Sequence, residues 1–504
     1  MENDPEVSPG AAITSLTGEC LANVFSHLTP ATLASCMSVN KQWENFLREE
    51  DSIWRLQWHK IYGAGSNGAM PVGLDQQPLS SFRAACAQWH PFCKQYGNFA
   101  LRSLHAWQQI HSWLELNAPQ IFASLRPGAT EAELDDAERT LKVRFPAALR
   151  VLYRIHDGQD LEFDRQIDTL RPSMGPSVFH GLFGGYQFYS HLVSSRMLPL
   201  NRMKRWTQHF RSRLNLPDDH PDVMFAAGFN FNKTINCITN TGDVMVSHVP
   251  GLSRVNAANG PPLPLPAFAP LAALQAQELG YPVLSPPEQP DAPLQWFEFY
   301  AQDLSSNKFS METLYDEVPN STGICLFPRR PPHGPSAITR GIQVSASPLF
   351  IPELSNLRDV DDGDIQYFFA YSIRFRLLSE QDQRTEAVAT NTNSAPADAT
   401  SIPRFVQEEE PFRSVQLLDR AWKIRNSAGA VESEVHGEAV VGQYPLLEHG
   451  GEEFTYQSCT HQREPQGSME GEFTFIEGSI ENPGARQVKA RCPVFQLTMP
   501  DVVF

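Results

Sequence analysis

The sequence has few cysteines and no long apolar run. Its eight cysteines are scattered among 504 residues and none are spaced as Cys-x-x-Cys, a pattern typical of a reducing compartment rather than of a disulfide-bonded secreted domain. No apolar stretch approaches the ~20 residues that a membrane-spanning helix needs. Residues 1–10 are acidic and polar, unlike a signal or transit peptide. We therefore expect a protein of the cytoplasm, the nucleus or both.

Positive charge is scarce as well. The 40 Lys and Arg residues are outnumbered by 57 Asp and Glu residues, and the formal net charge is -17 at pH 7. General nucleic-acid binders normally show a basic surface. Together with the lack of a membrane-spanning run, this composition predicts neither a nucleic acid nor a membrane among the partners.

Motifs of known catalytic and cofactor sites are missing. The sequence holds no P-loop, no dinucleotide-binding glycine motif, no His-Glu-x-x-His and no Gly-x-Ser-x-Gly. Potential metal ligands cluster in two places: Cys86, His90 and Cys93, and His436, His449, Cys459 and His461. The first group matches no standard zinc spacing, and the second would have to converge in the fold, an alternative that the sequence leaves open. We predict no enzyme activity, no metal site and no cofactor.

What the sequence does have is a set of apolar residues at helical spacing near its start. Leu21, Val24, Phe25 and Leu28 fall at i, i+3, i+4 and i+7, on one face of a helix. Later stripes predict two more short helices before Trp54. Three such helices carry more apolar surface than about forty residues can bury among themselves. The excess must contact either the rest of the chain or another protein.

This pattern resembles an F-box, the helical motif that docks onto a Skp-family adaptor in a cullin-based ubiquitin ligase. The match runs over residues 16–54, with Thr17 where the family usually has proline; threonine can still cap a helix. The resemblance implies an adaptor-binding surface formed by Leu16, Leu21, Val24, Phe25, Leu28, Leu33, Val39 and Trp43. On spacing alone, the same helices could instead form a cap on a larger core.

Residues 95–330 combine helical and strand patterns. Thr130 and Glu133 form a capping box, which predicts a helix from that point. We predict strands over 234–239 and 244–249, helices over 296–304 and 311–314, and extended proline-rich segments over 260–293.

Within this middle part, residues 125–160 resemble the SUKH (SMI1/KNR4-like) superfamily. The match consists of a Pro-Gly-Ala start, Phe145-Pro146 and His156-Asp-Gly158, and it continues near Gly181. SUKH domains are chiefly protein-binding modules. The resemblance therefore implies a central α/β domain for recognition rather than for catalysis.

Strand patterns dominate the last third of the chain. Residues 367–377 alternate at period two, and several later segments do the same, which is typical of a β-sandwich. The stretch 381–403 is polar and poor in aromatic residues. Its composition predicts a disordered insert between two strands.

This last third resembles the ApaG domain, an immunoglobulin/fibronectin-like sandwich. Segments 339–344, 417–422, 435–442 and 495–500 carry the match. The family usually has a second glycine in its glycine turn. Ala439 stands there instead, and its methyl group hinders the close approach of a phosphate. Gly437, Gly442 and Tyr444 remain as possible ligand-binding residues.

The combined prediction is a multidomain α+β protein. A three-helix F-box (12–59), a linker with a helix (60–94), a SUKH-like domain (95–330) and an ApaG domain (331–504) follow one another. This order resembles the F-box proteins that carry a C-terminal ApaG domain. It implies a non-catalytic substrate-recognition subunit of an SCF-type E3 ligase for protein ubiquitination. Its partners would be a Skp-family adaptor, cullin and RING subunits through that adaptor, and an unknown protein target. The alternatives are a nucleotide- or metal-binding sensor based on the ApaG domain, and an interaction scaffold outside any ligase.

Overall fold

The computed structural model describes residues 16–62, 71–74, 76–161, 175–248, 254–256, 268–285, 290–330, 334–357, 365–393 and 410–504. Within these residues it confirms the predicted combination of N-terminal helices, a mixed helix and sheet middle part, and a C-terminal part built of strands. None of the described helices combines the length and the apolar character of a membrane span.

The elements are numbered in chain order. The helices are α1 (Gly18–Ser26), α2 (Pro30–Cys36), α3 (Lys41–Glu49), α4 (Asp51–Tyr62), α5 (Phe82–Asn117), α6 (Pro119–Ala123), α7 (Glu131–Leu141), α8 (Ala147–Ile155), α9 (Leu200–Arg213), α10 (Phe268–Glu278), α11 (Ala292–Ser305) and α12 (Glu380–Asn393). The strands of the middle part are β1 (Gly185–Phe188), β2 (His191–Met197), β3 (Asp222–Gly228), β4 (Thr234–Ile238), β5 (Val244–Ser247), β6 (Arg254–Asn256), β7 (Ser310–Thr313) and β8 (Thr322–Cys325). Those of the C-terminal part are β9 (Ser336–Thr339), β10 (Ile342–Phe350), β11 (Tyr367–Leu377), β12 (Ser414–Asn426), β13 (Val431–Glu438), β14 (Leu446–Glu448), β15 (Phe454–Gln462), β16 (Gln466–Gly478) and β17 (Pro483–Thr498).

Side-chain caps begin the first three helices. The Thr17 hydroxyl accepts a hydrogen bond from the Cys20 backbone N–H at 3.4 Å, and Thr29 and Asn40 do the same for α2 and α3. Each cap satisfies one of the backbone donors that a helix start leaves unpaired. Thr17 thus performs the capping role expected of it at the position where the F-box family usually has proline.

Helix α4 attaches the N-terminal helices to the long helix α5. The Asp51 carboxylate accepts hydrogen bonds from the backbone N–H groups of Phe82 and Arg83, at 3.0 and 2.9 Å, where a negative charge also stabilises the helix dipole. Trp58 of α4 packs against Trp89 of α5, with ring centroids 6.1 Å apart. The contact between the two helices therefore combines a carboxylate cap with an aromatic pair.

Helix α5 bends at Gly97. Its φ is 53°, and a Cβ atom there would lie 1.8 Å from the Pro282 carbonyl oxygen, so only glycine fits this approach. The helix runs through residues 94 and 95, where we predicted the boundary between linker and middle domain. The structure thus joins those two segments within one helix.

A mixed sheet forms the middle part. Its strand order is β6-β5-β4-β3-β2-β1-β8-β7; β1 and β8 are parallel and the other pairs are antiparallel. Helices α5, α8 and α11 pack together, and α9 contacts α7 and β3. The predicted strands at 234–239 and 244–249 are confirmed as β4 and β5, and the capping box of Thr130 and Glu133 begins α7. The segment before them forms β3.

Two predictions for the middle part are wrong. The segment 311–314 is not helical, because residues 311–313 belong to β7, which pairs with β8. Four residues are too few for periodicity to distinguish helix from strand. Part of the proline-rich segment 260–293 is the helix α10. Its one proline, Pro270, lies in the first turn, where a helix tolerates the missing N–H. Residues 260–267 and 286–289 lie outside the described residues.

The C-terminal part contains two sheets with strand orders β15-β11-β10-β9 and β13-β12-β16-β17, with β14 also on β12. Between them, the Trp422 ring lies 5.7 Å from that of Tyr371 and 5.3 Å from that of Phe473. Alternate residues of each strand thus build a shared aromatic core, as in a sandwich.

The predicted disordered insert at 381–403 is partly a helix. Helix α12 covers Glu380–Asn393, and residues 394–403 lie outside the described residues. The Ser379 hydroxyl accepts from the Asp382 backbone N–H at 3.2 Å, a cap that composition alone does not reveal. The buried Gln383 side chain bonds to the backbone of Leu378 and Phe412, which fixes this helix on the sandwich.

Candidate functional site

The eight predicted adaptor-binding residues do not share one environment. Leu21, Phe25 and Leu33 are 2%, 1% and 0% exposed. The Phe25 ring packs edge-on against Trp43, with centroids 5.3 Å apart. These three side chains therefore hold the N-terminal helices together, and the prediction that they form the outer surface is not supported by their positions.

Val24 and Val39 are the members of that set that face outward. They are 51% and 62% exposed, whereas Leu16, Leu28 and Trp43 are half-buried at the margin of the core. Sequence reasoning missed Leu56 on α4, which is 43% exposed. The sequence pattern could have revealed this position. The buried residues of α4 lie on one face of the helix, and they are Ile53, Trp54, Trp58 and Ile61. At helical spacing, Leu56 falls on the opposite face.

The predicted ligand-binding residues lie around a cleft in the C-terminal part. The cleft has a volume of about 310 Å³ and lies between β13 and β15, the edge strands of the two sheets. Gly442 lines it, with φ of 76° in the turn after β13. Gly437 is paired with Arg420 across β13 and β12, and the Tyr444 hydroxyl lies 3.2 Å from a Glu438 carboxylate oxygen. The three residues are thus neighbours of one site, although only Gly442 lines it directly.

Sequence reasoning missed the residues that give this cleft its chemistry. Arg420, Trp422, Tyr371, Tyr456 and Tyr189 line it. The period-two pattern of β12 already puts residues 420 and 422 on one face, so that pair could have been found. Tyr189 comes from the turn between β1 and β2, in the middle part, and no sequence signal connects it with the C-terminal strands.

Two tyrosines of the cleft, Tyr371 and Tyr456, are held in their protonated form. Burial raises the pKa of Tyr371 to about 12 and that of Tyr456 well above its usual value, and the nearby Arg420 charge opposes both shifts only in part. A protonated phenol donates one hydrogen bond and accepts others. The cleft therefore offers neutral hydrogen-bond donors, the guanidinium of Arg420 and the acidic side chain of Glu438.

Neither group of potential metal ligands forms a metal-binding arrangement in the part of the chain that the structure describes. Burial raises the pKa of both Cys86 and Cys93 to about 12, which disfavours the thiolate that a metal requires. The His90 ring nitrogen lies 3.2 Å from the Tyr281 hydroxyl. These side chains contribute to the packing of α5.

Comparisons with known proteins agree with this division of the chain. Residues 19–57 match the F-box-like family and residues 358–477 match the ApaG domain. The F-box protein SKIP16 of Arabidopsis thaliana is 31% identical over 489 residues, which cover 95% of this chain and 97% of that protein. F-box only protein 3 of Homo sapiens is 23% identical over 513 residues, 98% of this chain and 86% of its own.

A bacterial protein matches the C-terminal part alone. Protein ApaG of Methylocella silvestris is 30% identical over 167 residues, which are 33% of this chain and 95% of its own. Its similarity thus accounts for one part of the molecule, whereas the match to SKIP16 extends over nearly the whole of both sequences. The chain belongs to the family of F-box proteins that carry a C-terminal ApaG domain.

Proposed function

We propose that this protein is a substrate-recognition subunit of an SCF-type E3 ubiquitin ligase. Helices α1 to α3 would bind a Skp-family adaptor, and the middle and C-terminal parts would hold a target protein near the ubiquitin-charged enzyme. Its contribution is positional, because tethering raises the effective concentration of the target lysine. No residue of the chain need form a covalent bond.

The observation that carries this proposal is the exposure of Val24 on α1 and of Val39 in the turn between α2 and α3, whereas the other large apolar residues of these helices are buried or half-buried. Burying one aliphatic side chain contributes roughly 1.5–3 kcal/mol, whereas association costs about 4–15 kcal/mol. Two valines alone would not offset that cost. The half-buried Leu16, Leu28 and Trp43 lie at the margin of the same core. If the adaptor also buried these three side chains further, five residues would contribute to binding.

The test is co-purification of the full chain with the adaptor and the cullin. The double variant Val24→Asp and Val39→Asp places two charges on the exposed surface and leaves the helix core intact, so we expect the adaptor to be lost. Leu21→Asp or Phe25→Asp would not serve, because both residues are buried and their loss would unfold the helices.

Leu116→Asp is the matched control, since Leu116 is 83% exposed near the end of α5, outside the N-terminal helices. It should bind the adaptor as the unmodified chain does. Undiminished adaptor binding by the double variant would refute the proposal. Capture of the adaptor without the cullin would favour an F-box scaffold that works outside a ligase.

We also propose that the middle part is a SUKH-like protein-binding domain. The capping box at the start of α7, followed by α8 and a sheet, supports this assignment. All eight cysteines are free thiols, which supports a location in the cytoplasm or nucleus. Imaging of the tagged full chain would test the location, and a secreted product would contradict it.

A further inference from the structure

The cleft between β13 and β15 contains two buried polar groups without a partner. Trp422 is 2% exposed and Tyr456 is 6% exposed, and both line the cleft. Neither the Trp422 indole N–H nor the Tyr456 hydroxyl has a hydrogen-bond partner among the described residues. A buried donor that stays unpaired costs free energy. An acceptor group bound in the cleft would remove that cost.

The cleft also holds an arginine that no carboxylate neutralises. Nη1 of Arg420 donates to the carbonyl oxygens of Glu438 and Ala439, and among the described residues this guanidinium forms no ion pair. These bonds fix its position and leave Nη2 and Nε available. Gly437 makes room for it, because a Cβ atom there would lie 3.2 Å from Arg420 Nη1.

The position of the cleft favours an extended peptide as its occupant. Strands β13 and β15 are edge strands of their sheets and both contribute residues to the cleft, and Val431 and Val435 on β13 are 44% and 41% exposed. An edge strand presents unpaired backbone groups to which a further strand can add. A peptide paired with β13 could direct one of its side chains into the cleft.

The cleft is shared between two parts of the molecule. Tyr189, in the turn between β1 and β2, lines it with φ of 47°, a conformation that bulky residues adopt only when their surroundings require it. The Tyr189 hydroxyl lies 2.9 Å from the Ser458 hydroxyl on β15. The ApaG protein of Methylocella silvestris, which aligns over nearly its whole length with one third of this chain, has no equivalent of the middle part.

We propose that this cleft is where the target protein is recognised, and that its ligand is a carboxylate side chain, Asp or Glu, presented by an extended peptide segment of the target. The carboxylate would pair with Arg420 and accept hydrogen bonds from Trp422 and Tyr456. This inference rests on the proposed function as a substrate receptor, which it deepens by naming the class of target segment.

Charge favours a carboxylate over a phosphate. The guanidinium of Arg420 supplies one positive charge, and the Glu438 side chain lines the same cleft. A phosphorylated side chain carries about -1.5 to -2 at pH 7, so it would place more negative charge beside Glu438 than a carboxylate would. Planar carboxylates also match the geometry of guanidinium.

The experiment selects binders from a library of random linear peptides displayed against the immobilised full chain. We expect enrichment of peptides that share one Asp or Glu position. The enriched peptide, fluorescently labelled, should bind Arg420→Gln roughly tenfold or more weakly, as expected for the loss of a charged hydrogen bond. Tyr189→Ala, on the exposed side of the cleft, should also weaken binding. Lys423→Gln removes a cation from the same strand outside the cleft and should not change it.

Selection of peptides without a shared acidic position, no enrichment, or equal binding to Arg420→Gln and Tyr189→Ala would each overturn the proposal. Tighter binding of a peptide with phosphoserine at the acidic position would overturn the choice of a carboxylate. Failure of the proposed function is separable. Arg420→Gln should still co-purify with the adaptor, and the Val24→Asp/Val39→Asp variant should still bind the peptide.

Discussion

The N-terminal helices and the C-terminal sandwich are both attached to the middle part, but by different chemistry. The N-terminal attachment combines the aromatic pair of Trp58 and Trp89 with the Asp51 carboxylate that caps α5. The C-terminal attachment includes a buried ionic cluster around Glu353, which lies in a short 3₁₀ helix, Pro352–Leu354. Apolar contacts weaken gradually when one is lost, whereas a buried ion pair depends on both of its members.

The cluster brings together groups from both parts. A Glu353 carboxylate oxygen bonds to the Tyr186 hydroxyl and lies 2.9 Å from a His191 ring nitrogen. Lys233 Nζ lies 4.0 Å from the other oxygen, and the side chains of Lys233 and Glu353 are 1% and 0% exposed. Burial alone would raise the pKa of Glu353, but Lys233 and His191 hold it below its usual value. The carboxylate is therefore ionised.

This difference suggests how the two ends are used. The proposed recognition cleft is shared between the C-terminal and middle parts through Tyr189, so it needs a fixed orientation of the two, and the buried cluster provides it. The N-terminal helices instead leave Val24 exposed, as the proposed adaptor-binding surface requires. The following changes are designed to break one attachment and leave the other intact.

The largest effect should come from Glu353→Ala. The change removes the Glu353 carboxylate and leaves the buried Lys233 ammonium with only the Tyr186 hydroxyl and the Phe504 oxygen as partners, and breaking a buried pair costs about 3–5 kcal/mol. We expect the denaturant midpoint of the full chain to fall accordingly, and Tyr189 to lose its contact with Ser458. Replacing both Glu353 and Lys233 by methionine should restore most of the stability. A loss below about 1 kcal/mol for the single change, the value typical of surface pairs, would contradict the importance of this cluster.

Trp58→Ala should act on the other attachment. Replacing a buried tryptophan by alanine costs roughly 3–5 kcal/mol, which should make residues 16–62 susceptible to protease while the C-terminal sandwich stays resistant. Leu56→Ala, two positions away and 43% exposed, is the matched control and should change stability by no more than about 0.5 kcal/mol. Equal loss of protection in both parts would show that the two attachments are not independent.

The sequence was sufficient to predict the N-terminal helices, but not which of their residues face outward. Spacing put Leu21, Val24 and Phe25 on one stripe, and the structure buries the first and third beneath α4, which lies some thirty residues further along the chain. Which apolar residues of a helix are buried depends on contacts with segments distant in sequence, and local periodicity carries no information about those contacts.

The same limit applies to the cleft. The alternation along β12 was visible, so Arg420 and Trp422 could be placed on one face. The tertiary fold determines that β13 packs opposite β15. It also determines that Tyr189, in a hairpin more than two hundred residues earlier in the chain, contacts β15. Sequence patterns predicted the structure correctly where all the interacting residues lie close together in sequence, as in the capping box of Thr130 and Glu133.

The smallest effect should come from Thr17→Ala, which tests the contribution of one helix cap to the N-terminal helices. Losing the cap of α1 costs about 1 kcal/mol, so we expect faster hydrogen exchange at the Cys20 amide and weaker adaptor binding, since α1 carries Val24. Ser35→Ala is the control, because the Ser35 hydroxyl bonds within α2 to the Ala31 carbonyl and caps nothing.

Thr17→Pro tests why threonine can replace the proline of the family. The φ of Thr17 is -66°, the angle that a proline ring imposes. Proline would lose the hydroxyl cap but would restrict the unfolded chain, which is worth about 0.4–1 kcal/mol. We therefore expect Thr17→Pro to be less destabilising than Thr17→Ala. If Thr17→Pro proved more destabilising than Thr17→Ala, threonine and proline would not be equivalent ways of starting α1. The presence of threonine instead of proline at this position would then need a cause outside the helix.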